Sequence, residues 1–285
     1  MMNAQHLNRI AIQGVPGAFH EIAARRYYPA DGLQIVPAHT FEELVGMVEG
    51  ERQAEGGIMA IENSIAGSIL FNYQLLYHSR LQIVGEVFLR IKQNLLTLPG
   101  STIEDLREVH SHPMAIAQCR QFFKQYPAIK LIETEDTALS ARKVGENRWR
   151  HTGAIASDLA AEMYGLEVLA DSIETNKKNF TRFLILHAQP SDLQSHQINK
   201  LSICFSLRHQ VGTLHQVLGE LARQEANLTK IQSVPLVGQE WQYLFFIDFV
   251  IENNRSSDEV IAAIEPLTEE LRILGKYQKG QHHED

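Results

Sequence analysis

The sequence predicts an α/β protein in two units, one over residues 1–190 and a smaller one over 200–278, with a linker at 191–199 between them. Three observations lead there. Up to about residue 190, short apolar runs alternate with segments of helical period, the rhythm of strands and helices layered on one another. The stretch 188–199 is polar, holds Pro190 and shows neither period. Beyond it the apolar residues follow the order strand, helix, strand, strand, helix, strand, a split βαβ of ferredoxin-like form. A length of 285 residues also exceeds the roughly 100–200 expected of one domain.

In the first unit, Ile10, Ala11, Ile12 and Gln13 open as a strand that stops at Gly14, and an amphipathic segment follows over 18–27. A strand at 33–36, a helix over 41–51 and a strand at 57–61 continue the pattern, which runs on through 81–91. A strand then leads to Ser111, a helix covers 114–123, strands fall at 130–134 and 152–156, and a helix ends at Tyr164 before a last strand at 181–187. In the second unit Leu201, Ile203, Phe205 and Leu207 alternate with Ser202, Cys204 and Ser206, a strand with one buried face. Leu214, Val217, Leu218, Leu221 and Ala222 recur as the stripe of an amphipathic helix. Strands at 227–236 and 241–251 are joined by a hairpin through Val237-Gly238, and the second carries Trp241, Tyr243, Phe245, Ile247 and Phe249 on one face. A helix from about Ser257 and a strand at 272–277 complete the unit, with Pro266 expected to kink that helix.

Apolar residues at 44% and charged residues at 21% are ordinary for a folded protein. With 34 acidic against 26 basic residues and no Lys/Arg stripe, a nucleic-acid partner is not expected. Cys119 and Cys204 lie far apart in apolar surroundings, which argues for free thiols rather than a disulfide or a zinc site. No run of about 18 apolar residues is present, the polar start does not read as a signal peptide, and a cytoplasmic location with no membrane partner is expected.

Three junctions carry small polar residues where core residues would otherwise stand: 13–17 (Gln-Gly-Val-Pro-Gly), 62–68 (Glu-Asn-Ser-Ile-Ala-Gly-Ser) and 111–113 (Ser-His-Pro). Ligands of α/β sheets collect at such strand ends, and free helix-start N–H groups favour anions. Each junction alone also reads as capping and turn chemistry. Gly14 and Gly17 complete neither a dinucleotide fingerprint nor a P-loop. His110 and His112 lack a third ligand, so no metal is expected, and the absence of a Gly-x-Ser-x-Gly elbow argues against acyl transfer.

Several blocks nevertheless match one family in order and spacing: 14–24 (GVPGAFHEIAA), 61–68 (IENSIAGS) with Asn72-Tyr73, 111–119 (SHPMAIAQC), Asp136-Thr137-Ala138, Tyr164-Gly165-Leu166 and 179–183 (NFTRF). Together they resemble the motifs of prephenate dehydratases, and the resemblance covers nearly the whole chain. It implies two α/β lobes like those of type II periplasmic binding proteins, crossings between lobes near 77–80 and 174–180, and substrate in the cleft. It also implies a cofactor-free reaction that takes prephenate to phenylpyruvate by loss of CO₂ and water. By motif, Thr181, Asn63, Ser111 and Gln118 are the implied catalytic residues, with Glu62, Ser64, His112, Arg182 and Phe183 binding substrate; His112 and Glu62 are candidate proton sources for Thr181. Strand alternation points Arg182 away from Thr181, toward an ion pair, while Phe183 shares the face of Thr181. The family's first motif continues with Thr and Ser where this chain has Ala18 and His20.

The second unit resembles an ACT domain, which implies L-phenylalanine as an allosteric ligand and a homodimer or homotetramer. Gly212, Thr213 and Leu214, with Gln232 and Ser233, stand at the implied amino-acid site. There Gln232-Ser233-Val234-Pro235 replaces Glu-Ser-Arg-Pro, so feedback that is weakened, altered in specificity or lost is expected. Two rivals stay open at this point, an arogenate dehydratase and a non-catalytic amino-acid sensor. Nothing before residue 10 reads as a chorismate mutase segment.

Overall fold

The protein is described by a computed structural model covering residues 8–29, 31–50, 53–190, 193, 197–236, 238, 241–251 and 256–283. In the first unit the order is β1 Asn8–Gln13, α1 Phe19–Tyr27, β2 Leu33–Ala38, α2 Phe41–Glu49, β3 Gly56–Asn63, β4 Gly67–Ser68, α3 Leu70–His78 and β5 Gln82–Arg90. It continues with β6 Asn94–Thr97, β7 Glu108–Ser111, α4 Pro113–Phe123, β8 Lys130–Glu133, α5 Thr137–Glu146, β9 Thr152–Ala156, α6 Asp158–Tyr164, β10 Glu167–Ala170 and β11 Phe180–His187. Helix starts are fixed by local chemistry: Thr40, Asp136 and Ser157 accept from the backbone N–H of Glu43, Leu139 and Ala160 at α2, α5 and α6. Gly165 takes the left-handed conformation that ends α6.

These strands form two sheets of the same design. In the first the order is β2-β1-β3-β11-β5, with β1 parallel to β2 and β3, and β11 antiparallel to both β3 and β5. In the second it is β8-β7-β9-β6-β10, with β7 parallel to β8 and β9, and β6 antiparallel to β9 and β10. Each lobe therefore has a parallel trio and one antiparallel strand inserted beside it. The chain leaves the first sheet at Arg90 and enters the second at Asn94, so the outward crossing is 91–93 and not 77–80. Residues 77–78 still belong to α3, and β5 stays paired to β11 for its whole length. The return runs between Ala170 and Phe180.

The second unit comprises β12 Lys200–Ser206, α7 Thr213–Arg223, β13 Ala226–Pro235, β14 Tyr243–Ile251, α8 Ser257–Ile264 and β15 Glu270–Tyr277. Its sheet order, β13-β14-β12-β15 and antiparallel throughout, is the ferredoxin-like one. Helix α8 does not kink at Pro266. It stops at Ile264, and Pro266 sits in a 3₁₀ turn, Glu265–Leu267, where its missing N–H leaves no α-helical bond broken. Trp241 precedes β14, with positive φ and 76% exposed, and Val237 of the expected hairpin lies outside the described residues. Of the expected linker, residues 191, 192 and 194–196 also lie outside them.

One face of this third sheet is covered by α7 and α8 through Ile203, Phe205, Val217, Leu221, Phe249 and Ile264. The other face presents Cys204, Val234, Phe246, Leu274 and Tyr277 to Met59, Ile61, Leu76, Ile83 and Leu184 of the first lobe, in one continuous core. After β15 the chain returns to the first lobe, where β16 (His282–His283) pairs parallel to β5. The second unit is thus packed on the back of the sheet whose front carries the cleft.

Candidate active site

A cavity of about 570 Å³ opens between the two lobes. Strands β3 and β11 bring Asn63, Thr181 and Phe183 to it from the first lobe, α4 brings His112 and Gln118 from the second, and Gln93 stands at the crossing. The register explains the placement. Thr181 pairs with Asn63 and Arg182 with Glu62, and then a bulge skips Ile61 so that Phe183 pairs with Ala60. Because of that extra residue, Asn63 and Ala60, three apart, both face the cavity, while Ile61 and Glu62 both face the second unit.

Asn63 anchors the polar part of the cavity. Its Nδ2 donates to Thr181 Oγ1 at 3.0 Å and to Asn179 Oδ1 at 2.8 Å, while its Oδ1 accepts from the backbone N–H of Ile65 and Ala66 at 2.9 Å each. Asn179, fully buried, donates in turn to Gln118 Oε1 at 2.9 Å. One chain of amides thus ties a second-lobe helix to the hydroxyl on β11. Since Thr181 Oγ1 accepts from Asn63, and no acceptor among the described residues engages its proton, that hydroxyl is set to donate to a ligand. No Lys or Arg lines the cavity among the described residues.

Of the residues expected from the sequence, Thr181, Asn63, Gln118, His112 and Phe183 come together here. His112 caps α4, its Nδ1 accepting from Met114 N–H at 3.2 Å. Ser111 does not reach the cavity: it is fully buried, and its Oγ donates to the Ile155 carbonyl at 2.7 Å, tying β7 to β9. Ser64 lies outside it too, its Oγ accepting from Phe180 N–H at 2.9 Å and donating to the Lys178 carbonyl at 3.1 Å, so that it fixes the start of β11. Arg182 and Glu62, expected to bind substrate, face away from the cavity. Arg182 is 5% exposed on the opposite face, with Nε on Glu86 Oε2 at 2.7 Å, Nη2 on Tyr277 OH at 3.0 Å and Nη1 on Asp248. Glu62 accepts from Lys230 Nζ at 2.7 Å, also on that face, which excludes it as a proton source for Thr181.

Three cavity or near-cavity groups carried no role in the sequence reading. Asn179 sat unremarked inside the NFTRF block. Asp136 caps α5 and lines the cavity, where burial raises its carboxyl above the usual range. His20 packs edge-on against Phe183, 5.0 Å between centroids, and 5.6 Å from Phe41; its Nε2 is buried with no hydrogen-bond partner among the described residues. Burial pushes its pKa down to about 4. Below the unfolded value of 6.5 the unfolded chain then takes up a proton that the folded chain refuses, so stability falls as pH drops from about 6.5 toward 4, by up to about 1.4 kcal/mol per pH unit. His20→Phe, which keeps an aromatic ring there, is expected to flatten that part of the curve when urea midpoints of variant and parent are compared between pH 7 and 4. A difference that stays constant across the range would contradict the neutral, buried imidazole.

In the second unit, Gly212 (φ +88°) starts α7, and Thr213 Oγ1 donates to the carbonyls of Gln210 and Arg208 at 3.1 and 3.2 Å. Thr213 and Leu214 line a hollow of about 100 Å³ with Trp241 and Tyr243. Gln232 and Ser233, on the edge strand β13, do not line it, and Gln232 Nε2 donates to the Ser233 carbonyl at 2.8 Å.

Fold and site together define a two-lobed α/β enzyme with a cavity between its lobes and a ferredoxin-like unit behind the first. The family model for prephenate dehydratase matches residues 10–191. The arogenate dehydratase/prephenate dehydratase 6, chloroplastic, of Arabidopsis thaliana is 37% identical over 285 residues, covering 94% of this chain and 68% of that protein. Among solved structures, one described as GqqA, a novel type of quorum quenching acylase, is 34% identical with a TM-score of 0.85, covering 95% of this chain and 98% of that one. The prephenate dehydratase from Arthrobacter aurescens in complex with L-Phe is 25% identical with a TM-score of 0.84, covering 95% and 89%. The chain belongs to the prephenate dehydratase family.

Proposed function

We propose that this protein converts prephenate to phenylpyruvate, the decarboxylating dehydration of phenylalanine biosynthesis. The observation that carries the reading is the Asn63–Thr181 pair, a hydroxyl held as a donor facing a cavity that no Lys or Arg lines among the described residues. In the reaction the ring carboxylate leaves as CO₂, the electron pair moves into the ring, and the hydroxyl at the far ring carbon takes one proton and leaves as water. Aromatisation supplies the driving force. The protein must hold the ring and assist a poor leaving group. Thr181 donates to the departing oxygen, and Phe183 and Phe41 wall the ring. Neutral amides suit the ring carboxylate, because a fixed cation would favour the charged ground state over a transition state that is shedding that charge. His39, Glu42, His112, Glu135 and Asp136 are the lining groups from which the proton can come, while His20, held neutral by burial, is not a source of it.

The second unit acts as an ACT-type regulatory domain, with L-phenylalanine as its ligand; the support is its ferredoxin-like order and the L-Phe complex of the Arthrobacter relative. Pairing of such units makes a homodimer or homotetramer, and the enzyme works in the cytoplasm. No helix of the described residues is long and apolar enough to cross a membrane. Acyl transfer is not favoured, because Thr181 Oγ1 accepts from an amide and is not seen donating to a base among the described residues.

The test is turnover by the purified protein of prephenate and, separately, arogenate, following phenylpyruvate through its enol absorbance in alkali and phenylalanine by its own assay. Prephenate turnover is expected. Refusal of both substrates would sink the dehydratase reading, and turnover of arogenate alone would reassign the substrate.

A further inference from the structure

Thr181 and Asn63 face the cavity, and the residue beside each faces the second unit. Arg182 reaches Asp248 on β14 and Tyr277 on β15; Glu62 meets Lys230 of β13, whose Nζ also donates to Ser68 Oγ at 2.7 Å. Lys200 of β12 donates to both oxygens of Glu86 at 2.8 Å, and Glu86 also accepts from Arg182. Every strand of the third sheet therefore puts a polar side chain into the backs of β3, β5 and β11. At the one place where β3 and β11 carry the reacting pair, Arg182 and Glu62 lie opposite each other in the register, immediately behind Thr181 and Asn63.

We propose that Arg182 and Glu62 are positioning residues, through which the second unit holds Thr181 and Asn63 in place for the reaction. A strand is stiff along its length, and a side chain anchored on one face fixes the rotation of its neighbour's backbone on the other. Hydrogen bonds to ions are the stronger, more directional kind; Arg182, Glu86, Lys200 and Asp248 are shielded from water, and Glu62 and Lys230 are partly so. Arg182 is held from three directions, so β11 cannot twist at 181–182 without breaking bonds to two strands of the other unit. The bulge at Ile61 removes one regular ladder position beside this point, and the Lys230 bridge to Glu62 and Ser68 supplies the constraint that the ladder there lacks. The catalytic cavity is then complete only with the second unit docked.

This inference rests on the dehydratase reading, and the experiment separates the two. In the full-length protein, Lys230→Met and Asp248→Asn each change a group of the second unit that does not line the cavity. For each, kcat and KM on prephenate are measured together with amide hydrogen exchange over 61–64 and 180–183 and with the thermal midpoint. The expected result is a fall in kcat of about tenfold with KM held within about twofold, and faster exchange at those amides. Lys230→Arg should recover most of the loss, and circular dichroism should show the variants folded. Unchanged kcat and unchanged exchange in both folded variants would overturn the proposal, as would a rise in KM at constant kcat. If the parent itself turns over neither substrate, the dehydratase reading falls and exchange alone decides: faster exchange confined to those amides supports positioning, and none overturns it.

Discussion

Thr181→Val should abolish most of the turnover while leaving the protein folded. Valine keeps the branched shape and the strand preference of threonine, and the site is only 8% exposed, so packing changes little. What is lost is a cavity hydroxyl whose proton no acceptor among the described residues engages, together with the acceptor for Asn63 Nδ2. Removing a single oriented donor from a transition state costs about 10²–10³-fold in kcat. Asn63 keeps its bonds to Asn179 and to the Phe180 carbonyl, so the amide chain to Gln118 survives. KM for prephenate should therefore move by less than about threefold, because the donor acts mainly where charge develops. Thr181→Ser, which restores a hydroxyl, should recover part of the rate. A Thr181→Val variant with more than about a tenth of the parent kcat would remove the hydroxyl from the chemistry and shift attention to the titratable groups, His112 and Asp136 first.

The residues that make this site were unequally visible in the sequence, for physical reasons. The α/β rhythm was legible because period-2 and period-3.6 patterns survive without any tertiary information, and the βαββαβ order of the second unit was legible for the same reason. The first lobe crossing was not: its place at 77–80 came from the resemblance, and the actual crossing, Ile91-Lys92-Gln93, is three residues with no Pro or Gly to mark it. Helix α3 was missed because its apolar residues fall all round, Tyr73 and Leu76 buried but Leu70 and Phe71 exposed. Within the site, Thr181 and Arg182 obey simple alternation, so their opposite faces could be foreseen. Glu62 could not be placed that way, since a bulge one residue earlier breaks the parity of β3. Ser111 has the local signature of a strand-end hydroxyl, and only the neighbouring strand shows that Ile155 takes it. His20 read as the loss of a hydroxyl, whereas its buried, unpaired nitrogen depends on Phe41 and Phe183, far off in sequence.

Glu86→Leu should destabilise the protein by about 3–5 kcal/mol, the largest stability effect expected of a single change here. Glu86 is 4% exposed and accepts from Arg182 Nε, from Lys200 Nζ on both oxygens, and from Gly280 N–H at 3.1 Å. Burial and the adjacent Arg182 charge already hold the Lys200 ammonium below the usual lysine range. With the carboxylate gone, two cations share one dry interface with Asp248 as the one remaining carboxylate paired there among the described residues, and Lys200 must release its proton or pull the units apart. The predicted signature in a urea titration is a lower midpoint and, because the third sheet can leave the first lobe before that lobe unfolds, a broadened or two-step transition. Glu86→Gln, which keeps the shape and one acceptor, should lose less than Glu86→Leu. Replacing Arg182, Glu86, Lys200 and Asp248 together by apolar residues of similar size should recover much of the stability, since the cost lies in leaving charges unpaired more than in losing the pairs. That four-fold variant would separate the two roles of the cluster: if it is stable yet slow on prephenate, the ions serve the geometry of Thr181 rather than the docking of the second unit.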